Sequence, residues 1–98
     1  ADAAIEEFQA PLQANAIPER AMNAIGYRLM GQKKFADAIK VFQLNVKRFP
    51  DSANVYDSLG EAYMNNNDKP AAIQNYQKSL QLNPGNTNAT EMLKKLKE

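Results

Sequence analysis

Asp57 and Glu61 stand four residues apart, a spacing that puts two carboxylates on one helix face, where they could act as general acid and base. The three serines, Ser52, Ser58 and Ser79, are the other candidate reactive groups. Each needs help that the chain does not offer. With no His and no Cys, the commonest general base, the usual metal ligands and a thiol nucleophile are missing. No G-x-G-x-x-G or Walker pattern is present to cradle a phosphate. Carboxylates in such company read as a solvated face, so the chain is expected to be no enzyme and to need no metal or cofactor.

The other polar excess is amide: eleven Asn and seven Gln among 98 residues. Amides can read a peptide backbone, and they also serve simply as surface. Twelve Lys and Arg against eleven Asp and Glu leave a net charge of +1, too little to draw in nucleic acid. Mean hydropathy is −0.59, and no apolar run approaches the ~18 residues of a membrane helix. Protein partners are expected, with neither nucleic acid nor membrane. Compartment stays open between cytoplasmic and periplasmic or secreted, because the absence of Cys says little about it.

The elements that must position these residues repeat. Gly26 and Gly60 are 34 apart, as are Ala38 and Ala72, Ile39 and Ile73, Phe42 and Tyr76, and Pro50 and Pro84. Met22/Tyr56, Ile25/Leu59 and Leu29/Tyr63 keep apolar character at the same interval. Val55, Tyr56, Leu59, Ala62 and Tyr63 form one helical stripe, and Ala72, Ile73, Tyr76 and Leu80 form a second. Between them, Asn65-Asn66-Asn67-Asp68 reads as a turn, with Asp68 as N-cap and Pro70 in the first turn of the next helix. A mid-helix Gly costs roughly 1 kcal/mol against Ala, so two at equivalent points predict close helix approach. The small Ala38 and Ala72 are the expected partners of those glycines.

Met22-Asn23-Ala24-Ile25-Gly26-Tyr27-Arg28-Leu29, then Ala38-x3-Phe42 and Pro50, resembles the tetratricopeptide repeat pattern W-x2-L-G-x2-Y…A-x3-F…P. Tyr56 to Tyr63, Ala72-x3-Tyr76 and Pro84 match it better. Asn45 departs from the family's small residue, whereas Ser79 keeps it. Lys33 replaces the usual turn glycine, with Gly31 as the expected compensation. The resemblance implies an all-α fold, helical hairpins stacked in a right-handed superhelix of about six helices.

The expected organisation is a half-repeat helix and link at 1–18, repeats at 19–52 and 53–86, and a capping helix at 87–98. Ala4-Ile5-x2-Phe8 stands 34 residues before Ala38-Ile39-x2-Phe42, matching the second helix of a repeat. A start at Ala1 without Met reads as processing or excision from something longer. The half-repeat suggests a C-terminal piece of a longer chain, preferred over a degenerate cap, able to self-associate weakly through its N-terminal helix. In the last segment Ala89, Met92, Leu93 and Leu96 form the stripe, while Lys94 occupies the slot of Gly26 and Gly60. A lysine there would bury a charge under a following helix, so 87–98 is expected to end the stack.

In the family, first helices line a concave groove for a peptide or a partner helix. Slot by slot, the lining here would be Arg20, Asn23, Ala24, Tyr27, Met30 and Gly31, then Asn54, Asp57, Ser58, Glu61, Met64 and Asn65. The cap would add Asn88, Glu91, Met92 and Lys95. Tyr27 and Met64, apolar and expected to face outward, are the preferred contacts, dispensable for stability. Relatives that clamp a chaperone's C-terminal carboxylate use a Lys and an Asn on the first inner helix, an Asn on the second, and Lys and Arg on the third. The matching slots here hold Asn23 and Tyr27, Ser58, then Asn88 and Met92, none of them cationic, which argues against that ligand. The alternative is an accessory domain of a larger enzyme: Val55 to Met64 and on to the Lys-rich last helix resembles repeat pairs at the C-termini of bacterial secreted or periplasmic serine hydrolases.

Overall fold

The computed structural model describes residues 17–97; the half-repeat expected at 1–18 lies almost wholly outside them. Its described part is all-helical: α1 (Glu19–Gly31), α2 (Phe35–Arg48), α3 (Ala53–Asn65), α4 (Lys69–Leu82) and α5 (Thr87–Leu96). The pairs α1/α2 and α3/α4 are hairpins, α2 packs on α3, and α5 packs on α4. Five of the roughly six expected helices are therefore on view.

Turn chemistry closes each hairpin in the same way. The Lys34 N–H donates to the Leu29 carbonyl at 2.9 Å and the Asp68 N–H to the Tyr63 carbonyl at 2.9 Å, the long bond of a Schellman C-cap. The residue before each donor takes the left-handed conformation, Lys33 with φ 62° and Asn67 with φ 63°. Asn tolerates that region, whereas Lys pays the Cβ penalty in full. Gly31 does not compensate: among the described residues no glycine has positive φ, so the strain sits on Lys33 itself. Asp68 caps α4 through the Ala71 N–H at 3.3 Å, with Pro70 in the first turn. Asn86 caps α5 through the Ala89 N–H at 3.1 Å. Pro18 precedes α1, and its carbonyl accepts the Ala21 and Met22 N–H groups.

The glycines are covered by rings. A Cβ on Gly26 would run into the Phe42 ring, and one on Gly60 would lie 3.2 Å from the Tyr76 ring. The expectation that Ala38 and Ala72 fill these approaches is thus corrected: both alanines are fully buried, but an aromatic face meets each glycine. Geometry explains the swap, since a flat ring can lie against bare backbone while a methyl would leave a gap. Around Phe42 gather Met22, Leu29, Ala38, Ile39, Val41, Leu59 and Ala62; around Tyr76 gather Ala72, Ala89, Leu93 and Leu96.

Position 45/79 makes a second repeat-equivalent lock. Asn45 Nδ2 donates to the Glu19 carbonyl at 3.1 Å, and Ser79 Oγ donates to the Ala53 carbonyl at 2.7 Å. Each pins the second helix of a hairpin to the first residue of its partner. Asn45, fully buried, therefore does the work of the small residue it replaces. On α5, Ala89, Leu93 and Leu96 are buried while Lys94, Lys95 and Lys97 remain exposed.

Gly26→Ala should destabilise the fold by about 1–2 kcal/mol, because overpacking against Phe42 exceeds the helix-propensity gain. Gly60→Ala, with more room beneath Tyr76, should stay within about 1 kcal/mol of the parent. Urea titration of both variants checks the order. Lys33→Gly should raise the midpoint, gaining up to about 1 kcal/mol by relieving the left-handed lysine.

Candidate functional site

The first helices of the repeats, α1, α3 and α5, are bridged to one another by polar side chains. From α1, the Tyr27 hydroxyl donates to Glu61 Oε1 at 3.0 Å, and Ser58 Oγ lies 3.3 Å away, placed to donate to the phenol oxygen. Asn65 Nδ2 bonds the Glu61 carbonyl at 2.8 Å, and the Met30 sulfur is a looser neighbour at 3.9 Å. From α5, Asn88 Nδ2 donates to Asp57 Oδ1 at 2.9 Å and Oδ2 at 3.1 Å. Asn86, at the start of α5, donates to Asp57 Oδ2 and to Ser79 Oγ, each at 2.8 Å. Asn86 therefore ties the start of α5 to both helices of the preceding hairpin, through Asp57 of α3 and Ser79 of α4.

These bonds sort the candidate groove residues. Arg20, Asn54 and Asn65 are exposed. Asn23, Tyr27, Met30, Asp57, Glu61 and Met64 are half-buried, with Met30 packed against the first core cluster and Met64 against the second. Ser58 is only 2% exposed, so its place on an open surface is corrected: it is sealed between α1 and α3 under Tyr27. Tyr27 is likewise no free aromatic. Its ring meets Phe42 edge-on at 5.3 Å, besides its bonds to α3. The expectation that Tyr27 and Met64 are dispensable for stability is corrected accordingly, because the Tyr27 ring packs on Phe42 and Met64 packs against the second core cluster. Of the further groove candidates, Ala24, Gly31, Asn88, Glu91 and Lys95 are exposed and Met92 is half-buried.

The electrostatics follow from this packing. Burial pushes the Tyr27 phenol up to about 12; Ser58's hydroxyl pulls the other way, and the charge of Glu61 adds to the rise. Tyr76, fully buried over Gly60, is raised as well, first by burial and then by the charges of Asp57 and Glu61. Both tyrosines favour the neutral form, so neither is a base. Asp57 and Glu61 spend their oxygens on Asn86, Asn88 and Tyr27, which is a structural use rather than acid–base chemistry. Among the described residues no group of three or more His, Cys, Asp or Glu gathers where it could hold a metal ion. Nor is any described helix long and apolar enough to cross a membrane.

Sequence reasoning missed Asn86, whose side chain caps α5 and joins Asp57 to Ser79. Its signal was present in Pro84-Gly85-Asn86-Thr87, a break followed by a favoured N-cap residue. What it bonds beyond its own helix could not be read from the break.

Tyr27→Ala should lower the unfolding free energy by about 2–4 kcal/mol, as for other packed aromatics, whereas Tyr27→Phe should cost about 1 kcal/mol for the lost bond, both read by urea titration. Because the folded Tyr27 pKa lies above the unfolded value of 10.0, its contribution is complete below pH 10 and is lost as pH rises towards about 12. Thermal midpoints across that window should fall with pH, and less steeply in Tyr27→Phe.

Residues 53–86, which are α3 and α4 with the loops that bound them, match the family model for the tetratricopeptide repeat. No curated protein matches the chain significantly. Repeats of this family generally mediate protein–protein interaction and are generally non-catalytic. The match covers the second hairpin, about a third of the chain, and the all-helical architecture is consistent with a fold of such repeats.

Proposed function

We propose that the chain is a protein–protein interaction module which takes a peptide or a partner's helix across the face of α1, α3 and α5. The observation that carries this reading is the polar bridging of those helices, Tyr27 to Ser58 and Glu61 and Asn88 to Asp57, which makes one continuous floor from three helices. A pre-formed floor loses little entropy on binding, which favours affinity. What the floor leaves for a partner is a short set: Arg20, Asn54 and Asn65 as exposed polar contacts, with half-buried Met30 close to Asn65 and half-buried Met64 towards the same helix ends. Arg and Asn can pair with the carbonyl and N–H groups of an extended backbone. The thioethers adapt to more than one apolar side chain. Half-buried Asn23 and the outer edge of Glu61 complete the lining, while Tyr27, Asp57 and Ser58 act beneath it as supports.

Peptides selected from a random display library against the full chain provide the test. Arg20→Ala combined with Asn54→Ala and Asn65→Ala should weaken the selected peptides by tenfold or more, about 1.4 kcal/mol, with the thermal midpoint unchanged. Selected peptides that bind the triple variant as tightly as the parent would place recognition on another surface.

A further inference from the structure

The two ends of the helical stack differ in chemistry. At the α5 end, Leu80 of α4 and Thr90, Leu93, Lys94 and Lys97 of α5 line an open groove. Its floor is leucine and its rim is lysine. Leu80 is half-buried, whereas Lys94 and Lys97 are exposed. Lys94 stands where Gly26 and Gly60 receive the rings of Phe42 and Tyr76, so a helix cannot seat there as α2 and α4 do in their hairpins. An occupant must lie higher, on the leucines, and must bring negative charge to the rim.

The chain itself carries a segment of that chemistry. Residues 1–16 contain Asp2, Glu6 and Glu7 and no Lys or Arg, with Ile5 and Phe8 three residues apart. We propose that this acidic segment of one copy docks in the α4/α5 groove of a second copy, Ile5 and Phe8 against Leu80 and Leu93, Glu6 and Glu7 against Lys94 and Lys97. Reach favours a second copy over the same chain. From Ile17 back to Phe8 is nine residues, which extend at most about 30 Å, while the longest dimension of the described residues is 41 Å. α1 packs on α2 and α3, and α5 on α4, which puts the segment's root and the groove towards opposite ends. The contact joins two different faces and so is heterologous: two copies close it by exchanging segments, and otherwise it propagates. Ion pairs at an exposed rim are screened by salt, so association should be stronger at low ionic strength.

Sedimentation equilibrium of the full chain tests this. The mass should rise above 10.9 kDa with concentration, and the association should weaken at least tenfold between 50 mM and 500 mM salt. Lys94→Glu with Lys97→Glu should leave a monomer, as should Glu6→Lys with Glu7→Lys. Mixing these two variants pairs every segment with a groove of opposite charge and should restore association. A parent chain that stays monomeric at millimolar concentration overturns the proposal. So does association that both charge reversals leave intact, or a mixture that behaves as the sum of two monomers.

Discussion

Each hairpin depends on one contact, an aromatic ring laid on the backbone of a glycine. Phe42 on Gly26 and Tyr76 on Gly60 set how closely the two helices approach, and the rest of the packing takes its distances from that. With the ring in place, Ala38 and Ala72 are carried into full burial, and residues 45 and 79 come within hydrogen-bond reach of the carbonyls that open their hairpins. The glycine is needed for space rather than for conformational freedom, since its φ is ordinary. Freedom is demanded instead at Lys33 and Asn67, where a left-handed residue turns the chain back.

Between hairpins the glue changes character. The buried clusters supply the bulk of the attraction, but α1, α3 and α5 are registered by directional bonds: phenol to carboxylate, amide to carboxylate, amide to hydroxyl. A hydrogen bond adds only about 1 kcal/mol net, yet leaving one partner buried and unpaired costs more, so such bonds select one stacking over its neighbours. The consequence for function is direct. Side chains that would be attractive as ligand contacts, Tyr27 and Asp57 above all, are already committed to the stack, whereas Arg20, Asn54 and Asn65 remain exposed.

The fold was largely legible in the residues. A 34-residue interval linking Gly26 to Gly60, Phe42 to Tyr76 and Pro50 to Pro84 announces paired helices, and Asp68-Lys69-Pro70 marks a helix start that the structure places at Lys69. Legibility failed where two residues could fill one role. Gly31 and Lys33 both offered themselves for the left-handed turn, and only the backbone shows that the lysine takes it. Ala38 and Phe42 were both candidates to cover the glycine, and only the crossing of the helices shows that the ring lies against it.

The site divides along the same line. Sequence by itself determined helix positions, faces and the absence of His and Cys, because these follow from periodicity and composition, which are local properties of the chain. Tertiary structure alone decided which face residues are spent. Ser58 and Asn54 sit on one short helix and are both small and polar, so nothing within α3 separates them. The helix packed alongside does: α1 lays Tyr27 over Ser58 and leaves Asn54 in solvent. Burial is a property of the neighbour as much as of the residue, and the neighbour here is 31 residues away in the chain.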